Sequence, residues 1–149
     1  MDDLERVLKT HPFVEGLEPD HLRFMLGCTK NVRYRAGEYL LKEGDQEDSL
    51  FLIRQGSVAI ELPRSGGEAV CIETLGPGDV LGVSCLTPTR ANLDCRAREA
   101  VLAFAVDNVC LLKKMQEDPK LGFAISMRLL ERTYERLSRA RLQHLDVYR

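Results

Sequence analysis

The residues best able to bind a metal or to act as nucleophiles are five cysteines and three histidines. The cysteines are odd in number, far apart and without a C-x-x-C pair, so neither a zinc site nor a secreted disulfide framework is indicated. Four of them lie in apolar segments, which predicts small buried side chains that stay reduced. For Cys85, in the segment after Gly82, a redox role is the lesser alternative. The five are Cys28, Cys71, Cys85, Cys95 and Cys110.

The histidines and glutamates do not indicate an enzyme. A cupin-like β-roll enzyme needs histidine ligands on strands, and every histidine here lies outside the strand-like segments. Three glutamates alternate with apolar residues and are predicted to face solvent rather than to form an acid/base pair. The sequence therefore predicts no catalytic and no metal-binding residue. The histidines are His11, His21 and His144, and the glutamates are Glu61, Glu68 and Glu73.

Composition limits the protein classes further. The 149 residues are 44% hydrophobic and 30% charged, which is typical of one globular domain over 1–149. The net charge of -2 argues against a domain that grips nucleic acid directly. The acidic N-terminus and the absence of an apolar run of ~20 residues predict a cytoplasmic protein that neither enters nor binds a membrane.

The elements that would position any site change character along the chain. Residues 1–30 carry helical patterns, and residues 31–112 carry short apolar runs separated by glycines about every ten residues. This spacing predicts a mainly β domain, a jelly roll or barrel with flanking helices. The segment 65–68, Ser-Gly-Gly-Glu, is predicted to turn a hairpin.

A long helix is predicted over 118–147, because Asp118-Pro119 has the character of a helix start. One face carries apolar residues at steps of four and three, which favours a dimer seam over packing against the protein's own barrel. The arginines of the opposite face are predicted to be solvated, a weak basic patch being the alternative. The predicted seam is Phe123, Met127, Leu130, Tyr134 and Leu137, and the arginines are Arg128, Arg132, Arg136, Arg139 and Arg141.

The glycine-punctuated motifs over 36–45, 48–58 and 75–82 resemble the cyclic nucleotide-binding domain family. The match follows family order and spacing, and it extends over about residues 12–140. The physical reading agrees, because glycine supplies positive φ at the corners of a barrel. The resemblance implies a helix-flanked β-roll, as in the effector domain of catabolite activator proteins.

The resemblance also implies a phosphate-binding cassette over 82–97, in which backbone N–H groups of a short helix face a cyclic phosphate. In the family, a glutamate directly after the glycine binds the ribose 2′-hydroxyl, and an arginine further along pairs with the phosphate. The implied ligand is cAMP, cGMP or a similar small anion, with no other cofactor.

The cassette departs from the family pattern at both of these positions. Val83 stands where the glutamate is expected, and it cannot accept a hydrogen bond. Counting back from Ala97, the arginine falls on Ala91, although a loop one residue longer would let Arg90 and Asn92 face the ligand. The predicted ligand-binding residues are Gly82, Val83, Ser84, Cys85, Arg90, Ala91 and Asn92.

Smaller predictions accompany the cassette. Val83 either fills the pocket or contacts an apolar ligand, and Ser84 is expected to cap the short helix. By strand alternation, Leu93, Cys95 and Ala97 point inward, and Asp94 and Arg96 point outward. Tyr134 is expected in the seam or core, the alternative being that it covers the pocket.

Together these patterns predict a stand-alone sensor module that signals through its last helix, as a homodimer or to a protein partner. The alternative is a degenerate fold without nucleotide, kept as a dimerisation or interaction scaffold. Catabolite activator-type regulators carry a helix-turn-helix after the long helix. This sequence stops at Arg149, so direct DNA binding is not expected unless the chain is part of a longer protein.

Overall fold

The computed structural model describes residues 2–88 and 93–147. Within them, helices flank a β-rich centre, and a short 3₁₀ helix spans Val83–Leu86. The helices are α1 (Asp2–Leu8), α2 (Pro19–Leu26), α3 (Asn108–Glu117) and α4 (Pro119–Val147). The strands are β1 (Thr29–Tyr34), β2 (Tyr39–Leu41), β3 (Ser49–Gln55), β4 (Val58–Leu62), β5 (Val70–Leu75), β6 (Val80–Leu81), β7 (Asp94–Ala97) and β8 (Val101–Asp107).

The strands form two antiparallel sheets, one ordered β1-β8-β3-β6 and the other β2-β7-β4-β5. Strands β4 and β5 are the predicted hairpin, with Leu62 opposite Val70 and Gly66 at a φ of +77° in the loop between them. The two sheets and the long last helix confirm the predicted β-roll.

Strands β3 and β8 of the first sheet are buried on both faces, because their alternate side chains enter different cores. Leu50, Leu52 and Phe104 pack against the helices. Phe51 and Ala103 face the second sheet. Burial on both faces explains why these strands are continuous apolar runs rather than alternating ones.

Gly82 shows why glycine is needed at the corner that opens the cassette. Its φ is +92°, a conformation that side chains rarely adopt. A Cβ at this position would lie 2.8 Å from the backbone oxygen of Ser49. The corner therefore brings β6 and the following 3₁₀ helix close against β3.

The last strand ends at Asp107, whereas the sequence analysis extended the roll to residue 112. The Asp107 carboxylate accepts a hydrogen bond from the N–H of Cys110 and so caps α3. The apolar residues after Asp107 therefore belong to a helix that was not anticipated. None of the helices in the described ranges is long and apolar enough to cross a membrane.

The prediction that all five cysteines stay unpaired is wrong in this structure. Cys28, beside the start of β1, and Cys110, in the first turn of α3, form a disulfide with a Cα–Cα distance of 5.6 Å. They are 82 residues apart in sequence, so no local spacing could have indicated the pair. Cys85 and Cys95 are buried as predicted, whereas Cys71 is exposed.

Candidate functional site

The predicted cassette begins at the end of β6. Gly82 precedes the 3₁₀ helix, and Cys85 within that helix is buried. Val83 packs against the core between the first sheet and the helices, and its side chain offers no hydrogen-bond acceptor. Three further residues predicted to bind the ligand, Arg90, Ala91 and Asn92, lie outside the described residues.

A cavity of about 160 Å³ lies beside Gly82. Val83 and Ser84 line it on the cassette side, and Leu93 and Cys95 line it on the side of β7. Small-molecule sites usually have volumes of roughly 300–1,000 Å³, so the volume of this cavity is small for a nucleotide. The structure therefore brings Gly82, Val83 and Ser84 of the predicted set together around an opening smaller than such sites.

The cavity wall also contains a carboxylate that the sequence analysis missed. Glu47, in the loop between β2 and β3, is only 6% exposed. Its carboxylate accepts a hydrogen bond from the Ser84 hydroxyl. Burial raises the pKa of Glu47, and the Ser84 hydroxyl and the backbone of Cys85 oppose that shift.

Ser84 therefore does not cap the 3₁₀ helix as predicted, since its hydroxyl is directed to Glu47. No periodic pattern marks Glu47, because it stands in a polar loop among other acidic and amide residues. Only the three-dimensional approach of this loop to the cassette identifies it.

Strand β7 alternates as predicted, with Cys95 and Ala97 buried and Arg96 exposed. The expectation for Glu61 is wrong, because this residue is buried and its carboxylate lies 2.7 Å from Arg96 Nη2. The neighbouring β7 supplies the cation that makes this burial tolerable. Strand alternation alone could not identify it.

The cassette thiols are not poised for redox chemistry. Burial raises the pKa of Cys85 to about 12, and the nearby carboxylates of Glu47 and Asp48 act in the same direction. Burial also raises the pKa of Cys95 to about 12. Since the thiolate is the reactive form, both residues act as small packed side chains.

Of the five arginines predicted to be solvated, Arg139 and Arg141 are exposed as predicted. The other three are instead fastened to the rest of the domain. Arg128 donates to the carbonyl oxygens of Phe13 and Glu15, and Arg132 donates to that of Gly78. These arginines stand four residues apart, so one face of the helix is fastened to the N-terminal segment and to the turn before β6.

Arg136 continues this row and reaches the cavity wall. It binds Glu73 through two donors, Nε to Oε2 at 3.0 Å and Nη2 to Oε1 at 2.9 Å. Glu73 is thus not simply solvent-facing, as the sequence had suggested. The last helix contributes a cation directly to the same cavity as Gly82.

The five side chains of the predicted dimer seam lie on another face of α4 and are exposed, by 45% to 69%. Tyr134 is among them and does not cover the cavity, which it does not line. A separate stripe, Leu121, Ile125 and Leu129, packs into the core. Helix α4 therefore has two apolar faces. One packs into the core of the domain, and the other is exposed on its surface.

Comparison with known proteins identifies the family and the fold. A family model described as "Cyclic nucleotide-binding domain" matches residues 31–118. The chain belongs to the cyclic nucleotide-binding domain family. Its fold is that of regulatory domains of this family, which supports a regulatory or sensor role.

Among curated relatives, this cyclic nucleotide-binding domain is 30% identical over 131 residues to Glutaminase 1 of Bradyrhizobium diazoefficiens, covering 87% of the chain and 21% of that protein. It is 30% identical over 111 residues to the Cyclic AMP receptor protein of Thermus thermophilus, covering 74% of the chain and 48% of that protein. The chain thus spans less than half the length of either relative.

A solved cyclic nucleotide-binding domain from Methylobacillus flagellatus superposes on 96% of the chain and 84% of that structure, with a TM-score of 0.83 at 20% identity. At this identity the likeness concerns the fold alone. It includes the helical ends as well as the two sheets, since nearly the whole chain superposes.

Proposed function

We propose that this domain is a regulatory sensor that binds a cyclic nucleotide, or a similar small anionic effector, in the cavity beside Gly82. Family membership supports the ligand class. The observation that carries the proposal is the composition of the cavity wall, with the cassette on one side and Arg136 of α4 on the other. On this proposal the domain regulates and does not catalyse.

The proposed signal passes through α4. An effector in the cavity would compete with Glu73 for Arg136, or add to that contact, and so bias the position of the helix. A ligand shifts such an equilibrium only by its difference in affinity for the two states. Arg136 supplies that difference directly, because it belongs both to the cavity and to the moving element.

The test is a titration with cAMP and cGMP, recorded as heat of binding and as a shift in melting temperature. AMP and GMP are the control ligands, because each has the same base and sugar as its cyclic counterpart without the cyclic phosphate. Binding at 100 times Kd would stabilise the protein by about 2.7 kcal/mol. If neither cyclic nucleotide stabilises it at millimolar concentration, the proposed ligand class is wrong.

The role assigned to Arg90 by family resemblance stays a prediction. We expect Arg90→Ala to weaken cyclic nucleotide binding at least tenfold, because a buried phosphate would lose a charge-assisted partner. An unchanged affinity would mean that the anion is held by other groups.

We further propose that the exposed seam of α4 forms a homodimer. Its side chains follow the 4-3 spacing of a two-stranded coiled coil, and the other faces of the helix already contact the roll. This seam also supports the alternative function, a dimerisation scaffold without ligand. The small volume of the cavity favours the same alternative.

The dimer is tested by sedimentation or light scattering of Leu130→Asp. We expect the wild type to be dimeric and the variant to be monomeric, because two aspartates would face each other in an apolar seam. Leu62→Asp is the matched control, since Leu62 is also exposed but lies on β4, away from the seam. A monomeric wild type would refute the dimer.

A further inference from the structure

The buried Glu47 carboxylate has no role in the proposed binding mode. It comes from the loop between β2 and β3, yet the hydroxyl that donates to it, that of Ser84, belongs to the cassette. Carboxylate and phosphate are both anionic acceptors that take such a donor. Glu47 therefore uses a polar group that an anionic effector at the cassette would use.

Glu47 also separates two cavities. The cavity beside Gly82, of about 160 Å³, and a second one of about 420 Å³ share Glu47 and Ser84 in their walls. The larger cavity continues along the cassette to Pro88 and reaches Asn108 of α3. The contact between Glu47 and Ser84 thus stands between a small opening and a volume that a nucleotide could occupy.

We propose that Glu47 is the specificity-determining residue of this pocket, an internal carboxylate that competes with anionic effectors for the Ser84 hydroxyl. The inference rests on the proposed function and adds to it the free-energy cost of displacing the Glu47 carboxylate. An anion can bind at this hydroxyl only after the carboxylate has moved away, because two like charges at one site repel each other. A neutral ligand does not meet this repulsion.

The experiment compares the wild type with Glu47→Gln, which keeps the size of the side chain and removes its charge. Asp48→Asn is the matched control, because it removes the same charge from the next residue, whose side chain is exposed and whose backbone contact with Asn108 is retained. Dissociation constants are measured for cAMP, for cGMP and for adenosine as the neutral probe.

We expect Glu47→Gln to bind the cyclic nucleotides at least tenfold more tightly than the wild type. Asp48→Asn should stay within about twofold of the wild type, and adenosine should change by less than about threefold in either variant. Should Glu47→Gln fail to fold, Glu47→Ala removes the same carboxylate and serves in its place.

The outcomes separate this inference from the proposed function. Equal or weaker nucleotide binding by Glu47→Gln, with a wild type that binds, overturns the inference and leaves the proposed function standing. Binding by Glu47→Gln alone supports the inference and shows that the wild-type pocket is closed to nucleotides, so the proposed function fails. Binding by neither protein overturns both.

Discussion

Single polar residues in the interior are each matched to a partner from a distant segment. His11 is buried, its Nε2 lies 2.9 Å from the carbonyl oxygen of Ile53, and its Nδ1 accepts a hydrogen bond from the N–H of Phe13. These partners fix the neutral form with the proton on Nε2. A protonated ring would place a second proton against a donor.

We expect this arrangement to make stability depend on pH. Burial lowers the pKa of His11 below its ordinary 6.5, against the opposing hydrogen bond to Ile53. The unfolded chain then binds the proton more readily than the folded protein. The contribution of neutral His11 to the free energy of unfolding is therefore full above pH 6.5. It falls as the pH drops below this value, by up to about 1.4 kcal/mol per pH unit, until the pKa of the folded state is reached.

The measurement is urea unfolding of the wild type and His11→Gln between pH 7.5 and 5. Gln keeps a donor for Ile53 and cannot titrate, so the difference between the two proteins isolates His11 from the carboxylates. That difference should shrink steadily below pH 6.5. A constant difference over the whole range would show that His11 does not titrate differently in the folded protein.

How far the site could be predicted from sequence differs between residues. The loss of the family glutamate at Val83 was evident, because it falls inside a motif of fixed spacing. The position of Glu47 was not, because its partner Ser84 is 37 residues away and no period links the two residues. Residue chemistry within a motif can be predicted, whereas contacts between a loop and a motif require the fold.

Helix α4 shows the same limit for an element. Its bounds and apolar seam follow from helical periodicity, which depends only on nearby residues. The same periodicity placed Arg128, Arg132 and Arg136 together on a face. It could not show that this face meets carbonyl oxygens and Glu73, since arginine rows on solvated and docked faces have the same spacing.

At this scale we predict that Arg136 and Glu73 fasten α4 to β5. Both side chains are about a quarter exposed, and the pair is bidentate, so its coupling should exceed that of a surface ion pair. A double-mutant cycle with Arg136→Met and Glu73→Gln should give a coupling energy of about 1 kcal/mol, measured from the free energies of unfolding.

Arg139 provides the matched cycle. Its Nη2 lies 3.9 Å from the same carboxylate, and its side chain is 56% exposed. We expect its coupling to Glu73 to be below about 0.5 kcal/mol. Equal couplings in the two cycles would mean that the bidentate geometry contributes nothing to the attachment of α4.

For the whole molecule, the β-roll could be predicted because its corners and its strands leave separate marks in the sequence. Glycines such as Gly82 mark corners at positive φ, and apolar runs such as that of β3 mark strands buried on both faces. The disulfide left no such mark, because the fold alone brings the end of α2 to the first turn of α3. Disulfides are rare in a reducing cytoplasm, which is the location predicted from the sequence, so the state of this bond also tests that prediction.

Counting thiols tests the disulfide on the intact protein. In protein purified without reductant, a thiol reagent should react quickly with Cys71 under native conditions and with three cysteines after denaturation, because Cys85 and Cys95 are buried and Cys28 is bonded to Cys110. Replacing Cys28 and Cys110 with serine should lower the free energy of unfolding by about 2–4 kcal/mol, since the bond closes a long loop in the unfolded chain. Cys71→Ser, the control on the surface, should change it by less than about 0.5 kcal/mol. Five reactive thiols in the denatured protein would instead show that the two cysteines stay reduced, as the sequence alone predicts.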